Sequence, residues 1–380
     1  MNVSVSIIVL NYNGRKNLGD TLLGDCISSV LESNYDNLEL IFYDNGSTDE
    51  SVRFVSDRFS SHRNLKIVPD PRNLGFAKGN NLAYEQTRGD YVVLLNSDAI
   101  VEPNWISELV DVMNSDSTIG VAQCKILSLD RTHIQTAGNL TDRCMQVYLI
   151  GNDAPDKGQY DRPCEITFAC GAAFITRRSL IERIGLFDPD YFWYHDDVDF
   201  SWRARLAGFK VVTVPSAVVY HKGSGTSKQS FRTGQGWFYF LTSNFGLFVK
   251  NFTTRSYLTC GIKFLVSNSM DITGLLLQRD LRTPIRFLLW IFKNFRSNWK
   301  KHLDVQTQIR KVSDKEVFRA FLDSTIFFLR IERYFDKLVG GTLNKDFGKL
   351  VSQTIYEYYK NHLYSIDRRN QTIRAPEALT

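Results

Sequence analysis

The stretch Val5-Ser-Ile-Ile-Val-Leu-Asn-Tyr-Asn-Gly14 decides the fold class of this 380-residue chain. Its first six residues form a short, continuous apolar run, which is typical of a strand that is covered on both faces of a sheet. A polar turn follows from Asn11 to Gly14, and apolar residues then recur at helical spacing between Leu22 and Leu31. We therefore expect a buried strand that leads directly into a helix.

The same alternation of apolar runs and helical patterns continues through the first hundred residues. Further strands are predicted at Leu38–Tyr43, Leu65–Val68 and Tyr91–Leu95, and a helix is predicted between Val52 and Phe59. Strands separated by helices indicate a mainly parallel sheet with helices on both faces. In such an α/β fold, ligands bind beyond the carboxyl ends of the strands, where the polar segments of this chain fall.

The remainder of the chain changes character near residue 235. Three further elements are predicted before that point: a helix at Trp105–Met113 and strands at Gly120–Ile126 and Phe168–Ile175. A basic, Gly/Ser-rich stretch at 222–232 is typical of a loop. Beyond it the pattern is helical and aromatic, and residues 241–310 carry 11 Lys/Arg and 3 Asp/Glu, a net charge of +8. We expect an α/β domain at 1–235 and a mainly helical, basic region at 236–380.

Composition excludes several classes of protein. Hydrophobic residues make up 43% of the chain, enough for a core, so global disorder is excluded. The net charge of +5 is too small for a protein whose main ligand is a nucleic-acid backbone. The six cysteines form no C-x-x-C pair, which is typical of buried thiols in a reducing compartment. We expect a cytoplasmic protein with no signal peptide and no transmembrane helix, because the apolar run Phe287–Phe292 is too short to span a bilayer.

Three polar clusters follow predicted strands or precede a predicted helix. Asn96-Ser-Asp98 places two side chains on one side of an extended chain, as sites for a divalent cation and a diphosphate often require. Asp44–Asp49 ends another strand. Asn73–Asn81 combines glycines and asparagines with a lysine, a pattern suited to close approach of the backbone to a ligand. Taken singly, the first two clusters are more typical of turns that cap the next helix.

An acidic run, His195-Asp-Asp-Val-Asp199, follows the aromatic run Tyr191–Tyr194. Crowding of three carboxylates raises the pKa of at least one of them and makes a general base available. The alternative is a solvated, acidic start of a helix. His221 ends another strand-like run, and although a single histidine is more often structural than ligating, its position indicates the same edge of the sheet.

Taken in chain order, these motifs resemble those of the family 2 inverting glycosyltransferases, in particular the branch with rhamnosyl- and galactofuranosyltransferases. The resemblance extends over residues 3 to 225 and rests on eight segments: Val5–Asn13, Asp44–Asp49, Asn73–Asn81, Leu94–Asp98, Cys170–Ala172, Gly185–Asp188, Asp196–Asp199 and His221. It implies a GT-A fold, a UDP- or dTDP-linked sugar as donor, and a divalent cation, Mg²⁺ or Mn²⁺. The implied acceptor is a hydroxyl group of a glycan or a lipid-linked glycan.

The resemblance also implies roles for single residues. Asp196 and Asp197 occupy the catalytic pair of acids, in which the second resembles the general base. Asp98 and His221 match the metal ligands. The implied donor-binding residues are Asn11, Tyr12, Asp44, Ser47, Asp49, Asn73, Gly75, Lys78, Asn80 and Asn96. The implied pocket for the donor sugar and the acceptor is lined by Gly171, Ala172 and Trp193.

Two other classes of function stay open at this point. One is a nucleotide-sugar- or glycan-binding module that has lost turnover, and the presence of Asp98, Asp197 and His221 together argues against it. The other is a different nucleotide-sugar enzyme, such as a nucleotidyltransferase or an epimerase. The first strand is not followed by G-x-G-x-x-G, and the sequence has no P-loop, so this class has little support.

Outside the resemblance, residues 282–300 predict an amphipathic helix. Five cations share one helical face: Arg282, Arg286, Lys293, Arg296 and Lys300. Phe, Trp, Leu and Ile fill most positions between them, a composition typical of a helix that lies in the headgroup plane of a membrane. We expect peripheral contact with the cytoplasmic face of the membrane. The alternative is a helix that packs on the α/β domain or on the partner in a homo-oligomer.

Overall fold

The computed structural model describes residues 3–223, 234–322 and 347–363, the single positions 327, 331 and 334, and the backbone of 365–367 and 372–374. Its strands are β1 (Val5–Asn11), β2 (Leu38–Asn45), β3 (Leu65–Asp70), β4 (Tyr91–Asn96), β5 (Ala99–Val101), β6 (Ile119–Ser128), β7 (Ile134–Thr136), β8 (Asn139–Thr141), β9 (Val147–Leu149), β10 (Ala173–Arg177), β11 (Lys210–His221), β12 (Ser365–Asp367) and β13 (Thr372–Arg374). The central sheet has the order β3-β2-β1-β4-β10-β6-β11-β5, with β7 beside β6. Strands β8–β9 and β12–β13 form two small hairpins.

The helices surround this sheet and continue beyond it. They are α1 (Gly14–Leu31), α2 (Ser51–Phe59), α3 (Gly75–Tyr84), α4 (Trp105–Ser115), α5 (Arg178–Ile184), α6 (Asp196–Leu206), α7 (Gln235–Asn251), α8 (Thr254–Leu277), α9 (Arg282–Asp304), α10 (Asp314–Val317) and α11 (Phe347–Asn361). A short π-helical turn, Val305–Ile309, continues α9.

Both faces of the sheet are buried, as the apolar runs predict. On one face, Ile7 and Val9 of β1 belong to a core with α1, α2 and α4. On the other face, Ile8 belongs to a core with α3, α5, α6 and α11. Successive residues of one strand therefore contribute to opposite cores, which explains why β1 is apolar without alternation. The α/β fold class is confirmed.

Strand order brings the predicted polar clusters to one edge. β1 lies between β2 and β4 and runs parallel to both, and the register aligns Asn11 with Asp44 and Leu10 with Asn96. The chain leaves β1 toward β2 and β3 on one side and returns to β4 on the other. Such a reversal opens a crevice at the carboxyl ends of the strands. His221, at the end of β11, pairs with Ala99 near the same edge.

The segment 168–172 differs from the sequence prediction. A strand was expected from Phe168, but β10 begins only at Ala173. The backbone amides of residues 169, 170 and 171 donate to side chains and not to a neighbouring strand. The segment is apolar because it is buried, and its irregular backbone is tolerated because these side chains satisfy its amides.

The region beyond residue 234 is mainly helical where it is described, as predicted, with one hairpin, β12–β13. The predicted loop at 222–232 lies mostly outside the described residues. Among those residues one helix, α8, is long and apolar enough to cross a membrane by length and composition, and 28% of the stretch concerned is buried. We expected no such helix. Polar residues such as Ser267 and Asn268 interrupt the helix, so it contains no long continuous apolar run. A single helix of this kind also occurs in the cores of soluble proteins.

Candidate active site

The carboxyl ends of β1 and β2 are joined by a buried polar cluster. Asp44 accepts hydrogen bonds from the Asn11 side-chain amide at 2.7 Å and from the Ser47 hydroxyl at 2.6 Å. Asp49, one turn further, accepts from the backbone N–H of Lys16 at 2.8 Å and so ties the start of α1 to the start of α2. Four predicted donor-binding residues thus lie together, and their visible contacts fix the shape of this turn.

The predicted loop before α3 reaches the same edge through Asn45. The Asn45 side chain donates to the carbonyl of Gly75 at 3.1 Å, and Asn73 Oδ1 accepts from the Gly75 amide at 3.0 Å. Gly75 has a φ of +79°, and a Cβ atom there would lie 2.8 Å from the ring of Phe192. Only glycine fits this position, because both its backbone angle and its surroundings exclude a side chain.

The remaining predicted donor and pocket residues differ in exposure. Asn80 is buried and donates to the carbonyl of Phe76 at 3.0 Å, so its amide stabilises the first turn of α3. Lys78 is exposed, and Tyr12 is 46% exposed next to the Asn11 cluster. Trp193 is partly buried and stacks on its neighbour, with ring centroids 4.7 Å apart.

Asp98, Asn96 and His221 meet at the ends of β4 and β11. His221 Nε2 lies 3.0 Å from Asp98 Oδ1 and 3.1 Å from Asn96 Nδ2. On the other side of the ring, Nδ1 lies 2.9 Å from Gln135 Oε1, and Gln135 Nε2 donates to the His221 carbonyl at 2.5 Å. The second bond fixes the orientation of the Gln135 amide, so Nδ1 carries the proton that is donated to Oε1. In the neutral ring, Nε2 therefore presents a lone pair to the carboxylate of Asp98.

This arrangement fits a bound divalent cation. Two acceptor atoms 3.0 Å apart repel each other unless a proton or a metal ion lies between them. When a proton lies there, burial, which raises the pKa of the Asp98 carboxyl, is outweighed by the hydrogen bond and the charge of His221, which lower it. A divalent cation in the same place would act in the same direction as His221. Within the described ranges no group of three or more His, Cys, Asp or Glu could hold a metal ion. Asp98 and His221 would thus supply two ligands, and diphosphate oxygens and water the others.

Asp196 and Asp197 begin α6 and lie in different surroundings. The two oxygens of Asp197 accept from the backbone amides of Gly171 at 2.9 Å and Val198 at 2.8 Å. Burial raises the pKa of Asp197, and these two amides oppose the rise. Asp196 Oδ2 has no hydrogen-bond partner in the described part of the chain, and burial followed by the charge of Asp197 raises the pKa of Asp196 to about 8. Near neutral pH, Asp197 is therefore the charged member of the pair.

Two adjacent residues connect this acid pair to the cation pair. The amide of Gly171 donates to Asp197, and the carbonyl of the next residue, Ala172, accepts from the backbone N–H of Asn96 at 2.9 Å. The side chain of Asn96 in turn contacts His221. The predicted base, metal ligands and pocket residues are thus joined by a short, continuous series of contacts.

The structure separates Asp199 from the acid pair and adds two residues, Lys250 and Gln135, that have no sequence motif. Asp199 is fully buried and pairs with Arg203 at 2.8 Å and with Lys250 of α7 at 2.8 Å, which removes it from the candidates for the base. Lys250 also binds Asp188 at 2.7 Å. Gln135, which orients the histidine, lies in a strand of three residues. A buried lysine and a single glutamine carry no spacing signal, and only the fold brings them to the site.

Comparison with known proteins shows similarity to one family over the first half of the chain. Residues 6–185 match the family model described as glycosyl transferase family 2. An uncharacterized glycosyltransferase of Haemophilus influenzae is 30% identical over 30% of this chain and 34% of its own length. A poly-beta-1,6-N-acetyl-D-glucosamine synthase of Staphylococcus epidermidis is 22% identical over 71% of this chain and 68% of its own length. The matches span only 23% to 42% of the first three curated relatives.

Solved structures share the fold. GalNAc-T7 with UDP, GalNAc and Mn²⁺ aligns with a TM-score of 0.54 and 16% identity over 78% of this chain and 58% of that chain. TarS 1–349 of S. aureus with UDP-GlcNAc aligns with a TM-score of 0.52 and 14% identity over 98% of this chain and 96% of that chain. These identities support the GT-A fold alone. Residues 6–185, 180 of the 380 residues, thus resemble glycosyl transferase family 2, and the fold agrees with that resemblance.

Proposed function

We propose that this chain transfers a sugar from a UDP- or dTDP-linked donor to a hydroxyl group of a glycan or a lipid-linked glycan, with inversion at the anomeric carbon. The observation that carries the proposal is the placement of Asp197. Its partly buried carboxylate is held by Gly171, one residue away from the contact between Ala172 and Asn96. A charged base next to a candidate diphosphate site is the arrangement that a single displacement of a nucleoside diphosphate requires.

In this proposal, Asp197 accepts the proton of the acceptor hydroxyl. The acceptor oxygen forms the new glycosidic bond on one face of the anomeric carbon, while the bond to the diphosphate breaks on the opposite face. One displacement therefore inverts the configuration. Gly171 orients the carboxylate of Asp197, and Asp196, protonated near neutral pH, adds no second negative charge beside the base.

Asp98 and His221 are proposed to hold the divalent cation, Mg²⁺ or Mn²⁺. When bound, such a cation neutralises charge that develops on the leaving diphosphate. The contribution of this chain is orientation: Gln135 holds the ring so that Nε2 faces Asp98. A hydrogen-bond partner on the ring nitrogen that faces away from the metal fixes the tautomer of a metal-binding histidine. GalNAc-T7, which shares the fold, has been solved with Mn²⁺.

The reaction is tested with the full chain in two steps. A thermal-shift screen of UDP-, dTDP- and GDP-sugars, with and without Mn²⁺, identifies the donor by the rise in melting temperature. Product analysis with glycan acceptors then follows. Release of a nucleoside diphosphate that depends on the acceptor supports the proposal. Release of pyrophosphate would indicate a nucleotidyltransferase, and donor binding without any product would indicate a binding module.

We also propose peripheral contact between α9 and the cytoplasmic membrane surface. The five cations of α9 are all exposed. A stripe of large apolar side chains next to them is exposed as well: Ile285, Leu288, Leu289, Phe292, Phe295 and Trp299. Phe292 is 82% exposed. A third face of α9, which includes Phe287 and His302, is buried and packs against the rest of the protein. Within the described residues, the apolar stripe is left uncovered.

Sedimentation with vesicles tests this contact. Wild-type protein should sediment with vesicles that contain anionic lipid, and less so when the five cations are replaced by Gln, since each contributes about 1 kcal/mol near such a surface. Phe292→Ser should also weaken sedimentation, whereas Leu350→Ser, an exposed leucine on a different helix, α11, serves as the control. If the wild type forms a dimer and stays in the supernatant, the stripe is an oligomer interface.

A further inference from the structure

Three consecutive backbone amides lead to the proposed base, and each is held by a side chain. The amides of residues 169, 170 and 171 donate, in that order, to Ser201 Oγ at 3.1 Å, Gln123 Oε1 at 2.8 Å and Asp197 Oδ2 at 2.9 Å. Ser201 and Asp197 both lie on α6, one helical turn apart. Gln123 alone comes from the sheet, so the segment is held from two sides.

Gln123 lies in surroundings that make its contacts costly to lose. It is fully buried in β6, where all residues from Ile119 to Leu127 are buried. A buried amide is destabilising unless it forms hydrogen bonds. Its Oε1 accepts a second bond, from the Asn139 side chain at 2.7 Å, whereas its Nε2 has no partner among the described residues. Both bonds fall on Oε1, so the acceptor function of this amide explains its presence in an apolar strand.

We propose that Gln123 is a positioning residue: it holds the amide of Cys170 so that the adjacent amide of Gly171 points at Asp197. The inference rests on the proposed function, because it concerns the same base. Cys170 and Gly171 belong to adjoining peptide units, so release of the first amide frees the second to turn. Ser201 would then hold the segment from the α6 side only.

Loss of this support changes the ionisation of the base. Burial raises the pKa of Asp197, and the hydrogen bond from the Gly171 amide lowers it by favouring the charged form. A weaker hydrogen bond from Gly171 therefore raises the pKa of the base. Asp196 and Cys170 interact electrostatically with Asp197, and Asp199 lies on the same helix. Asp196 is mainly protonated below neutral pH, burial raises the pKa of the Cys170 thiol to about 12, and Asp199 stays charged because Lys250 and Arg203 pair with it. Asp197 is therefore the group that titrates on the acid side.

The test compares Gln123→Met, which keeps the side-chain volume and removes the acceptor, with Thr176→Val. Thr176 is a matched control because it is fully buried in β10 and donates to the carbonyl of Gly120 at 3.0 Å, away from the segment 169–171. With the donor found in the screen, Gln123→Met should lower kcat/KM by up to about tenfold on the acid limb of the pH profile, the factor for one pKa unit, and much less on its alkaline side. A pH profile that superimposes on that of Thr176→Val overturns the proposal.

A second measurement needs no substrate and so separates this inference from the proposed function. The effect of Asp197→Ala on melting temperature is measured across pH in the wild-type and Gln123→Met backgrounds. This effect changes with pH where Asp197 titrates, because the stability that a group contributes depends on its ionisation. The midpoint of that change should lie at higher pH in the Gln123→Met background. An unchanged midpoint overturns the positioning role even if no donor is turned over. If Gln123→Met does not fold, Ser201→Ala, which removes the neighbouring anchor, should produce the same shift.

Discussion

Replacement of Asp197 by Asn should abolish transfer and leave donor binding close to that of the wild type. The substitution keeps the size of the side chain and removes its ability to accept a proton. General-base catalysis contributes about 10²- to 10⁴-fold to a rate, so kcat should fall by at least about 10²-fold. The donor contacts proposed at the β1–β2 turn lie elsewhere, so the thermal shift with donor should persist.

The structure also gives the cost of this change to stability. Asp197 accepts one backbone amide on each oxygen, from Gly171 and Val198. Asn has a single acceptor oxygen, so one of these bonds is lost, at about 0.5–1.5 kcal/mol. Removal of the Asp197 charge offsets part of that loss only where Asp196 ionises, above about pH 8. Near neutral pH the free energy of unfolding should therefore fall by about 0.5–1.5 kcal/mol.

Asp199→Asn is the matched control on the same helix. It removes a fully buried charge from Lys250 and Arg203, which are then left without that partner. Breaking a buried pair costs about 3–5 kcal/mol, so this variant should lose stability far more than Asp197→Asn. Initial rates and urea unfolding of both variants are measured together. A near-normal kcat for Asp197→Asn would refute the assignment of the base, as would a loss of activity that only follows the unfolded fraction.

Three further outcomes follow from the same site. The pKa of Asp196 is raised to about 8 in the folded state, so its contribution to the free energy of unfolding is fully present below about pH 4, its usual unfolded pKa, and is lost as the pH rises toward about 8. Asp196→Asn should therefore raise the melting temperature at pH 8 and change it little at pH 4. Chelation with EDTA should stop transfer and Mn²⁺ should restore it, whereas full activity in EDTA would contradict the cation site. Asp98→Ala should weaken Mn²⁺-dependent donor binding. Gln135→Leu should weaken Mn²⁺ binding about 10- to 100-fold in calorimetry with UDP present, because the imidazole loses its orienting acceptor, and an unchanged affinity would show that Gln135 only supports the fold.

The sequence predicted the parts of the fold that depend on local pattern. The apolar runs predicted β1, β2, β3 and β4 close to their observed bounds, because strands in a sheet with helices on both faces are mainly apolar. Polar residues directly after these runs predicted the edge of the site, since parallel strands end together. Asn11, Asp44 and Asn96 thus meet at one edge, as the register confirms.

The sequence could not predict what depends on contacts between distant segments. The segment 168–172 has the apolar composition of a strand, but its amides are taken by side chains of β6 and α6. The difference between Asp197 and Asp199 is likewise invisible in the acidic run. Both follow aromatic residues at the start of one helix, and only Lys250 and Arg203 show that Asp199 is a structural charge.

The helices after residue 235 also supply lysines that pair with buried carboxylates in and before α6, the helix that carries the proposed base. Lys250 of α7 lies 2.7 Å from Asp188 and 2.8 Å from Asp199, and Lys301 of α9 lies 2.5 Å from Asp188. Burial raises the pKa of Asp188, and these two lysines lower it by more, so the carboxylate depends on both helices. Without them, Asp188 and Asp199 would be buried charges with too few partners, at a cost of several kcal/mol. The proposed membrane helix is thus joined on its inner side to the loop that precedes the proposed base, and neither can shift far without the other.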